Sequence, residues 1–127
     1  MSQGPENRLI AAIDRLLPKE IYREKMHNPY RGGTPDKWYS GPRGDLWIEW
    51  KWVPSMSRKG RLIPKLSPLQ MKWLIGRYTE GRNVAVVVGC PEGCIGLRLP
   101  SQWINGVYVI NWETKQYIAH WIEGYCL

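Results

Sequence analysis

An uninterrupted run of β-branched residues places the strongest constraint on the fold of this chain. The run extends from Asn83 to Val88 and contains four valines. It is typical of a strand that is buried on both faces, as in a sheet covered by helices. A helix is predicted just before it, because Ser67 is a good N-cap, Pro68 suits the first helical position and Gly81 is a natural stop. A helix followed by a buried strand predicts a crossover connection, and therefore a sheet that is parallel or mixed.

A second predicted strand, from Leu46 to Trp52, carries charged residues on one face. Side chains alternate between the two faces of a strand, so Trp47, Glu49 and Lys51 share one face and four apolar residues share the other. The apolar face is expected to pack in the core. The charged face is either the solvated face of an edge strand or a functional site.

The residues before this strand predict a hairpin that brings in a second acid. A short strand is expected over residues 37–40, directly after Asp36, and residues 41–44 have strong turn chemistry. The hairpin therefore combines Asp36 with Glu49 and Lys51. Two carboxylates and a lysine at the edge of a sheet make a plausible site for a divalent metal that acts on phosphate.

A first helix is predicted from Glu6 to Leu17, because apolar residues recur there at helical spacing. Glu6 projects from near the middle of the apolar face. Two interpretations remain open for it: a paired or metal-bound acid, and a solvated first-turn residue that the helix dipole favours. A loosely alternating segment over residues 20–27 is predicted to form the first strand.

The last third of the chain is predicted to extend the sheet and to end in a helix. Residues 95–99 are expected to pair back onto the buried strand, and residues 107–110 to form a further short strand or extended piece. Asn111 is expected to cap the final helix. The residues expected to face the body of the protein are Tyr117, Ile118, Trp121 and Ile122.

The cysteines and the apolar segments indicate the class of protein. Cys90, Cys94 and Cys126 are an odd number in a chain with no signal-peptide pattern, which predicts reduced thiols and a cytoplasmic location. Cys90 and Cys94 flank a turn typical of a hairpin tip, and no second cysteine pair exists to complete a zinc site. No apolar run approaches the length needed to span a membrane. No repeat or linker divides the sequence, so a single domain over residues 1–127 is expected.

The net charge of +7 predicts a polyanionic partner, with a basic surface kept for solubility as the alternative. Six basic residues and no acid occur between Lys51 and Lys72, which favours a segment that faces phosphates. The residues expected to contact DNA phosphates are Arg31, Arg43, Arg58, Lys59, Arg61 and Lys65. Among the eight tryptophans, Trp38 or Trp52 is a candidate for stacking on an unpaired base, with packing in the core as the alternative.

Taken in order, these residues resemble the PD-(D/E)XK nuclease superfamily, and within it the VRR-NUC and archaeal Holliday-junction-resolvase group. The resemblance covers about residues 6 to 90. It is carried by Glu6, Gly33-Thr34-Pro35-Asp36, Ile48-Glu49-Trp50-Lys51 and Leu66-Ser67-Pro68-Leu69-Gln70. The resemblance implies a restriction-endonuclease-like fold with a mixed α/β sheet, an αβββαβ core and a C-terminal strand and helix extension.

The resemblance also implies a site for Mg²⁺ or Mn²⁺. Asp36 and Glu49 would be the main metal ligands, and Glu6 and the backbone carbonyl of Trp50 would be further ligands. Asp45 is nearer to Glu49 in the sequence, but it lies in the predicted hairpin turn, where Asp is common. The match to the G-x-P-D motif favours Asp36 as the first acid.

The implied activity is hydrolysis of phosphodiester bonds in DNA by a structure-specific endonuclease, with branched DNA such as Holliday junctions as the substrate. Lys51 would position the attacking water or stabilise the transition state, and Gln70 would support the site or contact the DNA backbone. A homodimer is expected, and the compact form is similar to phage-encoded members that act in recombination. The alternatives are a flap, nicking or duplex DNA nuclease of the same fold, and a non-catalytic nucleic-acid-binding module.

Overall fold

The computed structural model describes residues 4–26, 32–54 and 61–127. Its elements are α1 (Pro5–Leu16), β1 (Tyr22–Lys25), β2 (Lys37–Ser40), β3 (Asp45–Trp52), α2 (Pro68–Thr79), β4 (Val84–Cys90), β5 (Gly93–Leu97), α3 (Pro100–Asn105) and α4 (Lys115–Cys126). The first six elements form the αβββαβ core that the sequence predicts. The last three extend it, so the predicted fold class is confirmed.

The five strands form one mixed sheet in the order β1-β2-β3-β4-β5. The β3–β4 pair is parallel, and the other three pairs are antiparallel. The helix α2 makes the crossover between the two parallel strands, as predicted. In the β2–β3 hairpin, Lys37 pairs with Ile48 and Ser40 pairs with Asp45. Asp45 is thus the first residue of β3 rather than a turn residue, which corrects the prediction for its position.

Each face of the sheet carries its own hydrophobic cluster. The side chains of β3 and β4 alternate between the clusters, and all seven residues of β4 are buried, as expected for a strand covered on both sides. On one face, α1 and α4 pack over Leu46, Ile48 and Trp50. On the other face, α2 and α3 pack over Val84, Val86 and Val88 of β4 and over Leu97 of β5. Glu49 and Lys51 lie on this second face, which is called the catalytic face below because it carries the residues predicted to act in catalysis.

The carboxylate of Asp14 in α1 attaches the first helix to the outer strands of the sheet. It accepts hydrogen bonds from Lys37 Nζ at 2.6 Å and from the Tyr39 hydroxyl at 2.8 Å. Burial and the negative charge of Asp14 both raise the pKa of Tyr39. The guanidinium of Arg23 in β1 donates to the backbone carbonyls of Asp14, Pro18 and Ile21. Helix α1 is therefore fixed to β1 and β2 by polar contacts as well as by its apolar face.

The structure corrects the predictions for the C-terminal region. Helix α3 was not expected, because it is short and begins at Pro100 without a strong polar N-cap. The N-cap of α4 is Thr114 rather than Asn111, and the Thr114 side chain accepts a hydrogen bond from the Tyr117 backbone. The predicted inward positions of Ile118 and Ile122 are confirmed, because both residues are buried. Trp121 packs partly against the same cluster, whereas Tyr117 is 55% exposed and does not face the body.

The predicted hairpin between Cys90 and Cys94 is confirmed. Residues Cys90 and Gly93 pair at the tip of the β4–β5 hairpin, and all three cysteines are buried free thiols. Val107 forms an isolated bridge with Leu62, so the predicted segment over residues 107–110 is an extended piece. Within the described ranges, no helix has both the length and the apolar character required to cross a membrane.

Replacing Asp14 by Ala is expected to lower the free energy of unfolding by about 2 kcal/mol, because it removes the acceptor of two largely buried donors. Chemical denaturation at neutral pH measures the change. Glu123→Ala is the matched control, because its partner His120 has a side chain that is 87% exposed and such pairs contribute about 0.5 kcal/mol or less. Equal effects of the two substitutions would contradict the role given to Asp14.

Candidate active site

The first acid of the candidate site lies where strand β2 begins. Asp36 precedes β2, and its backbone carbonyl accepts a hydrogen bond from Met26, just after β1. The pairing between β2 and β3 ends at Lys37 and Ile48, so the backbone N–H of Trp50 lies beyond the paired part of the hairpin. In place of a strand partner, the Asp36 carboxylate accepts a hydrogen bond from this N–H at 3.1 Å. This contact holds the Asp36 side chain against β3, on the catalytic face.

A glycine brings the loop before Asp36 against the N-terminal end of α2. Gly33 has a φ of 101°, a conformation that residues with a Cβ rarely adopt. A Cβ on Gly33 would lie 2.5 Å from the backbone carbonyl oxygen of Leu69, so any side chain would clash with the helix. Only glycine permits this approach. The loop that carries Asp36 and the helix that carries Gln70 are thereby brought together.

Glu49, Lys51 and Gln70 form a connected network on the catalytic face. The amide nitrogen of Gln70 donates to Glu49 Oε2 at 3.1 Å, and the amide oxygen of Gln70 accepts from Lys51 Nζ at 3.1 Å. Lys51 Nζ also lies 3.4 Å from Glu49 Oε2. The predicted proximity of a helix glutamine to the acid and the lysine of the strand is therefore observed.

The position of Gln70 is fixed by the N-cap of α2. The Ser67 hydroxyl accepts from the Gln70 backbone N–H at 3.1 Å, and the Gln70 side-chain oxygen accepts from the Ser67 backbone N–H at 2.9 Å. This reciprocal pair is a capping box. Ser67 is the predicted cap, whereas the return bond from Gln70 was not predicted, although the Ser-x-x-Gln spacing is the signal for it. The side chain of Gln70 thus caps the N-terminus of α2 and also contacts Glu49 and Lys51.

Glu49 lies in an unfavourable environment for a charged carboxylate. The residue is only 2% exposed, and its Oε1 atom accepts no hydrogen bond from the residues that the structure describes. Burial, followed by the negative charge of Asp36, raises its pKa to about 8, and the positive charge of Lys51 opposes this shift. Because one lysine does not balance two neighbouring carboxylates, the site favours either a proton or an additional cation.

Glu6 lies in the first turn of α1, close to the same charges. Burial raises its pKa, the charge of Asp36 raises it further, and the charge of Lys51 lowers it. Glu6 is half-buried. It is therefore neither a fully solvated first-turn residue nor, in this conformation, a direct partner of Glu49.

The donor set fits a hard divalent cation in part. Asp36 and Glu49 offer carboxylate oxygens, the ligands that Mg²⁺ and Mn²⁺ prefer, and Glu49 Oε1 is a buried acceptor without a partner. No group of three or more His, Cys, Asp or Glu side chains in the described part of the chain is close enough to hold a metal. Glu6 and the Trp50 carbonyl therefore remain predicted ligands, and Glu6 would have to move closer to take part.

The second possible acid, Asp45, lies at the other end of the hairpin. It is four residues before Glu49 on β3, which corresponds to about 13 Å along a strand. Its side chain accepts a hydrogen bond from Trp38 Nε1 at 2.9 Å. Asp36, and not Asp45, is therefore the acid that neighbours Glu49.

The predicted DNA-binding residues lie at different places. Arg43 is exposed in the hairpin turn, at the opposite end of β3 from Lys51, and its backbone N–H donates to Cys126. Arg61 is exposed and lies 5.3 Å from the centre of the Tyr108 ring, and Lys65 is exposed on the segment that leads to α2. The remaining predicted contacts lie outside the described residues: Arg31, Arg58 and Lys59.

Comparison with known proteins identifies the fold but not a family. No model of a known protein family matches the chain, and no curated protein sequence matches it. The VRR-NUC assignment therefore stays a prediction. Among solved structures, the chain is similar to Archaeoglobus fulgidus Hjc, a Holliday junction resolvase from an archaeal hyperthermophile. The TM-score is 0.50 at 17% sequence identity, over 73% of this chain and 72% of that chain. The restriction-endonuclease-like fold is thus confirmed, whereas the roles of the site residues remain predictions.

Without divalent metal, the free energy of unfolding is expected to fall as the pH rises from about 5 to about 8. Over this range the folded chain retains a proton on Glu49 that the unfolded chain has released, because the ordinary pKa of Glu is about 4.3. Glu49→Gln should flatten the decline by up to about 1 kcal/mol per pH unit. Denaturant titrations in a chelator measure the slope. Glu20→Gln, on an exposed residue, should leave it unchanged, and a wild-type slope for Glu49→Gln would contradict the prediction.

Proposed function

We propose that this protein is a divalent-metal-dependent DNA endonuclease that hydrolyses phosphodiester bonds. The observation that carries the proposal is the convergence of Asp36, Glu49, Lys51 and Gln70 at one end of β3, within a fold shared with a resolvase. Carboxylates beside a lysine on a basic protein suit a reaction at phosphate. The unpartnered oxygen of Glu49 supports a site that takes a cation.

The chain supplies the parts that such a reaction needs. Asp36 and Glu49 would hold Mg²⁺ or Mn²⁺, with Glu6 and the Trp50 carbonyl as further ligands. When bound, the metal would polarise the phosphate and lower the pKa of a bound water. The ammonium group of Lys51 lies beside the Glu49 carboxylate. There it would orient the attacking water and stabilise the negative charge that develops on the phosphate.

Gln70 has a positioning role in this proposal. Its amide bridges Glu49 and Lys51, and the capping box with Ser67 fixes its own orientation. Lys51 Nζ also forms an ion pair with Glu49 Oε2 at 3.4 Å. An ammonium group has three donors, so a third is left for the substrate beside these two contacts.

We further propose branched DNA as the substrate class and a homodimer as the active form. The support is the likeness in fold to a Holliday junction resolvase and the net charge of +7. A four-way junction offers two equivalent strands, which a symmetric dimer would cut at two equivalent sites. A flap, nicking or duplex nuclease would use the same four residues, so the choice of substrate is a matter for experiment.

The decisive experiment is a cleavage panel with purified protein in Mg²⁺ or Mn²⁺. Labelled four-way junction, flap, single strand and linear duplex are compared, with Glu49→Ala as the inactive variant. Preferential cleavage of the junction supports both parts of the proposal. Preferential cleavage of another substrate supports the endonuclease activity but contradicts branched DNA as the substrate class. Calorimetric titration with Mn²⁺ should show binding to the wild type that Glu49→Ala loses. DNA binding without metal and without cleavage under any condition would identify a non-catalytic module and overturn the proposal.

Lys51→Ala is expected to lower the cleavage rate at least about 100-fold while changing DNA affinity by no more than about threefold. The physical reason is that the lysine acts on charge that develops in the transition state more than on the bound substrate. Single-turnover cleavage and binding in a chelator measure the two quantities. Lys19→Ala is the control, because it removes the same charge at an exposed position between α1 and β1. A parallel loss of binding and cleavage in Lys51→Ala would contradict this role.

Replacement of Arg61 and Lys65 together by Ala is expected to weaken DNA binding for all sequences and to reduce its salt dependence. Each phosphate contact that is lost should lower the slope of log K against log salt by about 0.9 for duplex DNA. Affinity measured over a series of salt concentrations tests this. Arg43→Ala, at the far end of the hairpin, is measured beside it. An unchanged slope in the double variant would remove these residues from the DNA interface.

A further inference from the structure

Four aromatic rings form a continuous row across the catalytic face of the sheet. The row, called the aromatic strip here, consists of Tyr22, Trp38, Trp47 and Trp73. Successive ring centres are 5.7, 5.7 and 5.4 Å apart. The guanidinium of Arg77 lies 5.7 Å from the centre of the Trp73 ring at the inner end. Because the members come from β1, β2, β3 and α2, the strip crosses from the edge of the sheet to the crossover helix.

The strip lies directly beside the proposed cleavage site. Trp38 is two residues after Asp36, and Trp47 is two residues before Glu49, so each pair shares the catalytic face at about 7 Å along a strand. Trp73 is three residues after Gln70 on the same side of α2. Trp38, Trp47 and Trp73 thus each lie two or three positions along the chain from one of the four site residues.

The exposure of the strip increases towards the edge of the sheet. Trp47 and Trp73 pack partly against the second hydrophobic cluster, whereas Tyr22 is 55% exposed. The helices α2 and α3 pack over the β4 and β5 side of this face. Among the described residues, the helices that contact β2 are α1 and α4, and both lie on the opposite face. The outer rings therefore have faces and edges available to a ligand.

At the outer end of the strip, the polar side chains that the structure describes beside the rings are hydrogen-bond acceptors rather than cations. Trp38 Nε1 donates to the Asp45 carboxylate at 2.9 Å, which fixes the orientation of the indole. Glu24 pairs opposite Trp38 in the sheet and accepts the Tyr22 hydroxyl at 3.2 Å. Carboxylates repel phosphate but accept hydrogen bonds from the amino groups of bases. Rings flanked by acceptors match a nucleobase better than they match a phosphate.

We propose that the aromatic strip binds unpaired nucleobases by stacking, next to the site where the strand is cut. The inference rests on the proposed function, since it places the strip beside a scissile phosphate held at Asp36, Glu49 and Lys51. Aromatic side chains bind bases of any sequence because every base has a π-face. The strip would therefore select DNA in which bases near the cut are unpaired, as at a branch or a flap, and would disfavour intact duplex.

The other candidate for stacking, Trp52, has a different environment. It lies on the opposite face of β3 and packs partly against the first hydrophobic cluster. The prediction that Trp38 or Trp52 stacks on a base is thereby narrowed to Trp38. The physical difference is the face of the sheet, because only the catalytic face carries the proposed cleavage site.

The test measures the binding of a single-stranded oligonucleotide and of a flap in a chelator, by fluorescence anisotropy. Each probe carries a 2-aminopurine, which is quenched when it stacks. Trp38→Ala is expected to weaken binding roughly 5- to 150-fold, the range found for loss of one base–aromatic stack, and Tyr22→Ala to weaken it about fivefold. Trp38→Phe keeps a ring and should retain most of the affinity. The salt slope should stay as in the wild type, because no phosphate contact is removed.

The matched control is Tyr117→Ala, since Tyr117 in α4 is also 55% exposed but lies on the other side of the sheet. Thermal unfolding of every variant separates loss of binding from loss of the fold, and Tyr22→Ala at the exposed edge keeps the test valid if Trp38→Ala is unstable. Wild-type affinity and quenching in both Tyr22→Ala and a folded Trp38→Ala would overturn the inference. If Trp38→Ala does not fold, wild-type affinity and quenching in Tyr22→Ala alone would overturn it. A change from dimer to monomer in Tyr22→Ala, measured by light scattering, would also overturn it, because a second copy would then cover the strip.

The result is separable from the proposed nuclease activity. If the strip variants lose binding while the wild type cuts no DNA in Mg²⁺ or Mn²⁺, the strip binds bases and the proposed function fails. If the wild type cuts DNA and the strip variants bind as tightly as it does, the nuclease stands and the strip has only a packing role.

Discussion

A buried carboxylate in the middle of a sheet is the constraint around which this molecule is arranged. Glu49 is 2% exposed, and a charge in such a place is costly unless neighbouring groups compensate for it. The Gln70 amide donates a hydrogen bond to its Oε2, Lys51 pairs with the same oxygen, and the capping box at the start of α2 fixes the position of Gln70. The approach of Gly33 to Leu69 then holds the Asp36 loop against the same helix end. The loop, the hairpin and the crossover helix are thus coupled through one acid.

The neighbouring groups compensate only in part for the negative charge of Glu49. Lys51 contributes one positive charge, but Asp36 adds a second negative charge, and the pKa of Glu49 rises to about 8 as a consequence. Its Oε1 has no partner in the described structure. A site selected only for stability would replace such a group by an apolar residue, because isolated buried charges are rarely stabilising. Retention of the acid is consistent with a cation as the intended partner, which is the basis of the proposed metal site.

The sequence predicted those parts of the fold and site that depend on local patterns. The alternation in β3, the valines of β4 and the Ser67–Pro68 start of α2 are each encoded within a few residues, and the structure confirms them. Errors arose where neighbouring residues offer equal local signals. Asn111 and Thr114 are both good N-caps, but the backbone bridge between Glu113 and Cys94 keeps the chain extended at residue 113, so the helix begins after it, at Thr114. The aromatic strip was missed because its rings come from four elements, and no local pattern relates Tyr22 to Trp73.

The two faces of the sheet differ in a way that explains where a substrate would bind. On the face formed with α1 and α4, polar groups such as Asp14, Lys37 and Tyr39 satisfy one another. On the catalytic face, the described helices pack over the β4 and β5 side, and the β1 and β2 side is surfaced by aromatic rings. A helix over this half would bury the rings and would also cover Asp36, which is half-buried, whereas Glu49 is already enclosed. Aromatic residues with a polar hydrogen-bonding group suit a surface that is exposed in the free protein and covered in a complex. The half of the sheet that the described helices leave uncovered carries such rings, and a base beside the cut phosphate would cover them.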